Sequence, residues 1–243
     1  PKPTRRARRA ARTGVSLFDQ IKIINEKIQT SLDSCNRKDL ITLVAATKKQ
    51  NINLIESCIR HGITHIGENR VQEAENKLVP LKHKNIGFTK RMIGHLQSNK
   101  INKALTLFNT IDSIDSISLG KKIALKTEKN NQNIETLIEI NTSGEENKFG
   151  FKLEDDQSIL ECIEIKNLNV RGLMTIGPNT KDIKKTQNAF KSLRKTKENL
   201  NRQLPANKRL AELSMGMSGD YDIAIKEGST MIRLGTALFG KRE

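Results

Sequence analysis

The sequence predicts an α/β fold, a single (β/α)8 TIM-like barrel preceded by one extra helix. Three observations carry this. Short apolar runs alternate with longer segments of helical periodicity along nearly the whole chain, and such alternation implies right-handed crossovers and a parallel sheet. The alternation gives eight strands, and eight units in about 210 residues suit a closed barrel better than an open sheet. No Gly/Ser-rich tract interrupts the chain and Pro is sparse, at five in 243 residues, so nothing marks a boundary between two domains.

The elements follow in order. Leu17, Ile21, Ile24, Ile28 and Leu32 recur at helical spacing and form one amphipathic face, the extra N-terminal helix. An apolar run over 40–46 is the first strand, followed by a helix over 52–61 that Gly62 stops. Strand and helix then repeat over 63–66 and 70–78, 92–94 and 99–107, 109–111 and 116–126, 134–140 and 154–163, 169–176 and 182–200, and 211–214 and 220–227. The run over 231–234 is the eighth strand.

Composition narrows the function classes. The 43 basic and 27 acidic residues give a formal net charge of +16, which invites a nucleic-acid reading. Six of those charges, Lys2, Arg5, Arg6, Arg8, Arg9 and Arg12, lie in an acid-free arm over 1–14, leaving ten for the other 229 residues. The arm reads as disordered. It is Arg-rich like a transit peptide but short of Ser, and an expression scar or upstream extension fits as well. Trp is absent and Tyr221 is the single tyrosine, so base-stacking platforms are scarce and nucleic-acid binding is not expected. Cys35, Cys58 and Cys162 are odd in number, without CxxC spacing or a nearby His pair, so neither a disulfide framework nor a zinc site is indicated. With no apolar run near 18 residues and no signal-like apolar stretch near the N-terminus, the expected compartment is the cytoplasm and no membrane contact is expected.

In a barrel the loops after the strands converge at one end, where chemistry collects. Lys48 ends the first strand on the same alternating face as Val44 and Ala46, the face that points inward. Two readings stay open there. An ammonium at the rim of an apolar interior is desolvated, which lowers its pKa and frees the amine to form a Schiff base with a carbonyl. Alternatively it is an ordinary strand-end lysine reaching solvent, as neighbouring Lys49 would. After the seventh and eighth strands, Ser214 to Ser218 and Arg233-Leu234-Gly235-Thr236 occupy the place where such barrels often hold a phosphate. Gly235 permits close backbone approach and Ser214 and Thr236 offer hydroxyls, although the same residues also suit plain loops. A phosphorylated aldehyde would need both ends held. His95 either positions a ligand or bonds within its loop, Glu145-Glu146 reads as solvated, and no triad of His, Cys and Asp appears.

These segments resemble the pyridoxal phosphate homeostasis proteins, the YggS-type family. The matching stretches are LVAATK (43–48), GEN (67–69) with VQE (71–73), IGHLQSNK (93–100), NTSGEENK (141–148), RGLM (171–174), LSMGMS (213–218) and EGSTMIRLGTALFG (227–240). The resemblance runs from about Leu17 to Arg242 and leaves out the arm. It implies one barrel of the alanine racemase N-terminal type over 15–243, carrying pyridoxal 5′-phosphate as an internal aldimine on Lys48. By the same resemblance Ser214, Gly235 and Thr236 hold the phosphate, Arg233 lies by the pyridine nitrogen and Asn69 lines the pocket. An arginine there disfavours protonation of the ring and weakens it as an electron sink.

The implied function is buffering and delivery of the cofactor without a catalytic activity. The alternative is a racemase-like enzyme of low activity. The partners implied are the cofactor and PLP-dependent apoenzymes, and the chain is expected to act as a monomer. The sequence ends a few residues past the eighth strand, so the second domain that supplies a tyrosine base in alanine racemase is not expected, and Tyr221 reads as packing. Two departures stand out: Lys90-Arg91-Met92 replaces an aromatic and a His before IGHLQ, and Arg70 replaces an aromatic after Asn69.

Overall fold

The computed structural model describes residues 16–82 and 87–240; the basic arm over 1–14 lies outside the described residues. Eight parallel strands form a closed barrel: β1 (Thr42–Ala46), β2 (His65–Glu68), β3 (Thr89–Met92), β4 (Thr110–Ile114), β5 (Glu135–Asn141), β7 (Asn169–Met174), β8 (Glu212–Ser214) and β9 (Met231–Leu234). Each pairs with the next around the ring, and β9 returns to β1 with Val44 opposite Arg233. The β4–β5 pairing completes the circuit.

Helices α1 (Leu17–Asp33), α2 (Ile52–Arg60), α3 (Val71–Lys82), α4 (Ile101–Leu107), α5 (Ile117–Lys129), α6 (Asp156–Glu164), α7 (Ile183–Gln203), α8 (Tyr221–Lys226) and α9 (Thr236–Phe239) surround the strands. The extra helix α1 starts at a capping box, in which Asp19 N–H donates to Ser16 Oγ at 3.1 Å and the Asp19 carboxylate accepts from Ser16 N–H at 3.2 Å. Its apolar face, Ile21, Ile24, Ile28 and Leu32, is buried, and the helix packs against α8 and α9. Just past it Arg37 donates to the Ser229 carbonyl at 2.8 Å, tying this corner to the turn before the last strand.

Period-2 alternation splits the buried residues into two layers. Ala45, Ile66, Leu213, Ile232 and Leu234 belong to the continuous apolar layer beneath the helices. Val44, Leu137, Met174 and Met231 are buried on the opposite, interior face. That interior is not apolar throughout. It also contains Arg91, Asp112, Glu139, Ser214 and Arg233, all under 9% exposed, so the apolar surroundings expected below Lys48 are in fact a charged, hydrogen-bonded network.

Several boundaries differ from the sequence expectation. β2 begins at His65 rather than 63, and β3 spans Thr89–Met92 where 92–94 was expected. Register explains the second shift: His65 pairs with Thr89 and Glu68 with Met92, while Gly94 has left the ladder to lie against the Asn69 backbone. Thr89-Lys90-Arg91 gives no apolar signal because its inward member is charged. A ninth, two-residue strand, β6 (Phe151–Lys152), pairs with the end of β5 and folds the 141–148 loop back over the barrel rim.

Candidate functional site

Lys48 follows β1 at the C-terminal rim and is half-buried. The chain turns sharply beside it, because Lys49 takes a left-handed φ of 61°, uncommon for a residue with a Cβ. The turn is held from behind by side chains that the sequence pattern did not single out. Lys77 Nζ donates to the Thr47 carbonyl at 2.9 Å and pairs with Glu68 at 2.6 Å and Glu73 at 2.9 Å. The Glu73 carboxylate accepts the Lys49 N–H, and Thr47 Oγ1 donates to Glu68. Glu68 is fully buried; burial pushes its carboxyl up, against the pull of Lys77 and Thr47. Burial also acts on Glu73, but its bonds to Lys77 and Lys49 outweigh it and hold that carboxyl low.

Next to β1, Arg233 sits on β9 and Ser214 on β8. Arg233 donates to the Ser214 carbonyl at 2.8 Å, to Ser214 Oγ at 2.6 Å and to the Thr175 carbonyl at 2.7 Å, which fixes the guanidinium plane. Burial lowers its pKa, and Asp112, Glu139 and Asp220 counter that with their negative charge. Ser214 is therefore engaged by Arg233 rather than open at the rim. The loop after β8 turns at Gly216, whose φ of 100° favours glycine. It brings Ser218 over the start of α9, where the N–H groups of Gly235 and Ala237 converge on Ser218 Oγ at 3.3 and 2.9 Å. Thr236, the first residue of α9, is exposed, and Gly235 is half-buried.

The remaining wall comes from β2 to β5. Asn69 is half-buried after β2, and Gly94 fits against it because a Cβ there would lie 2.6 Å from the Asn69 carbonyl oxygen. His95 Nδ1 meets Asp115 Oδ2 at 2.7 Å and its ring stacks on Phe149 with centroids 3.8 Å apart. Arg91, one of the departures noted in the sequence, makes a two-pronged pair with Asp112 at 2.7 and 3.0 Å inside the barrel. Burial pushes the Glu139 carboxyl up to about 7, with Arg233 pulling against it.

Among the described residues no group of three or more His, Cys, Asp or Glu could hold a metal ion, and no helix is long and apolar enough to cross a membrane. The strand order thus gathers Lys48, Asn69, Ser214, Arg233, Gly235 and Thr236 at one end of the barrel. Sequence reasoning placed Ser218 in the phosphate loop and Glu68 and Glu73 in the matching stretches without giving any of them a role, and it missed Glu139 and Lys77. The available signals were a lone acid in the apolar strand LIEIN and an i, i+4 Glu–Lys pair directly after GEN.

The sequence matches the family model described as alanine racemase, N-terminal domain, over residues 27–243. It is 36% identical over 230 residues to the pyridoxal phosphate homeostasis protein of Haemophilus influenzae, covering 94% of this chain and 97% of that protein. The protein of the same name from Synechocystis is 40% identical over 204 residues, 83% of this chain and 92% of its own. Among solved structures, PipY of Synechococcus elongatus with PLP bound superposes with a TM-score of 0.80 at 30% identity, covering 93% of this chain and 100% of that one. Alanine racemase of Clostridium difficile, at 14% identity and a TM-score of 0.71 over 92% of this chain and 57% of that one, shares the fold alone. The chain belongs to the pyridoxal phosphate homeostasis protein family and is built on the alanine racemase N-terminal type of barrel.

Proposed function

We propose that this chain binds pyridoxal 5′-phosphate through Lys48 and buffers or delivers that cofactor in the cell without turning over a substrate. The observation that carries this is the meeting of the row leading to Lys48 with Arg233 and Ser214 on one interior face of β1, β9 and β8. A relative 30% identical to the chain has been solved with PLP bound. When bound, the cofactor supplies an aldehyde that condenses with a primary amine, with loss of water, and a phosphate that takes hydrogen-bond donors. The residues present fit both ends. Lys48 offers the amine at the half-buried rim. The paired N–H groups of Gly235 and Ala237, which meet one oxygen of Ser218, are donors of the kind a phosphate oxygen takes, with the Thr236 hydroxyl beside them.

Arg233 would face the pyridine nitrogen with its plane locked by Ser214 and Thr175. A guanidinium donates and does not give up its proton, so it keeps the ring nitrogen unprotonated and the ring a weak electron sink. That suits storage over turnover. Asn69 would line the wall. A racemase needs a second acid/base group across the ring; Tyr221 is instead buried at the junction of α1 and α8. The same reading takes residues 15–243 as a monomeric binding unit in the cytoplasm, with PLP-dependent apoenzymes as recipients.

The test is to add the cofactor, record the visible band, reduce with borohydride and map the modified residue by mass spectrometry. Lys48 should carry the phosphopyridoxyl group, and Lys48→Ala should lose the band with an unchanged circular dichroism spectrum. A different modified residue, or none, overturns the reading. Rapid solvent-deuterium exchange at the α-carbon of several amino acids would replace it with a racemase-like enzyme.

A further inference from the structure

We propose that Glu73 and Lys77 of α3 are positioning residues for Lys48, clamping the two peptide groups that flank it from behind the barrel wall. The inference rests on Lys48 being the cofactor amine.

The peptide carbonyl before Lys48, that of Thr47, accepts from Lys77 Nζ, and the peptide N–H after it, that of Lys49, donates to Glu73. Both side chains come from one face of α3, a turn apart. Lys49, the next residue, whose N–H Glu73 takes, stands in the left-handed region without being glycine, a conformation that persists only where the surroundings over-determine it. The other side of the turn is fixed too, since Thr47 N–H donates to the Gly67 carbonyl at 2.9 Å. The base from which the Lys48 side chain extends is thus held by two helix side chains outside the barrel and by the backbone of the neighbouring strand β2, leaving the interior face to the ligand.

A purely structural role accounts poorly for this arrangement. Buried ion pairs are often replaced by apolar residues with no loss of stability, and Glu68 keeps one oxygen, Oε2, buried without a hydrogen-bond partner. What the charged group supplies, and apolar packing would not, is directional bonds to the backbone at a single turn. An amine that must meet a carbonyl in one geometry gains from that restraint.

Glu73 is more than a quarter exposed, so Glu73→Ala removes the acceptor for Lys49 without emptying the core. Cofactor affinity, the pH dependence of the visible band and the site of borohydride reduction are measured alongside thermal unfolding. Glu73→Ala should weaken binding about tenfold and shift the pH dependence, with Lys48 still the modified residue and the protein folded at the assay temperature. Glu73→Gln, which keeps an oxygen toward Lys49, should restore both. Wild-type affinity and pH dependence in Glu73→Ala, or no rescue by Gln, overturns the clamp while leaving Lys48 as the amine. Modification of the wild-type chain at another residue overturns both.

Discussion

Glu139 shows how a single side chain records its surroundings. It lies on the interior face of β5, in register with Met174, and burial raises its pKa from 4.5 to about 7 despite the Arg233 charge. The folded chain therefore holds this proton more tightly than the unfolded chain does. The stabilising contribution is complete below about 4.5 and is lost as pH rises through about 7. Glu139→Gln, which never ionises, should match the wild type near pH 4 and exceed it near pH 8 by up to about 3 kcal/mol. Urea unfolding at the two pH values measures this; equal gaps at both would refute the assignment. The sequence marked Glu139 only as an acid among apolar neighbours. Its proximity to Arg233, far along the chain, is not encoded in any local pattern.

At the scale of elements, the β8–α8 connection is the part most sensitive to one atom. Gly216 has a φ of 100°, and a Cβ there would lie 2.6 Å from the Ala224 Cβ and 3.0 Å from the Tyr221 Cα. Gly216→Ala should cost about 1–3 kcal/mol and displace Ser218 from the Gly235 and Ala237 amides. A lower melting temperature together with weaker cofactor binding is the expected result, and wild-type values for both would contradict it. The helices were legible because apolar residues at i, i+3 and i+4 write their own face. β3 was harder to place, since its inward position carries Arg91, and a buried arginine paired with Asp112 looks in sequence like a solvated loop. Two-residue β6 exists only because the end of β5 offers it a ladder.

For the whole molecule, the charge of +16 divides unevenly, six positive charges lying in the first fourteen residues. Deleting residues 1–14 should leave cofactor binding unchanged and, with six of the sixteen charges gone, lower the salt concentration that elutes the protein from a polyanion column; undiminished retention would locate the basic face on the barrel. The sequence by itself determined the alternation of eight strands with helices, the end of the barrel where chemistry gathers and the lysine at the first strand's rim. These are local matters: side-chain periodicity reports which face of an element is apolar, and a polar run after it reports the loop. Tertiary structure alone decided what stands beside what. The closure of β4 on β5, the locking of Arg233 by Thr175 from 58 residues away and the grip of Lys77 on Thr47 from 30 residues away all depend on strand register and helix docking. Register is set by the simultaneous fit of every strand around the ring, and no single segment carries that information.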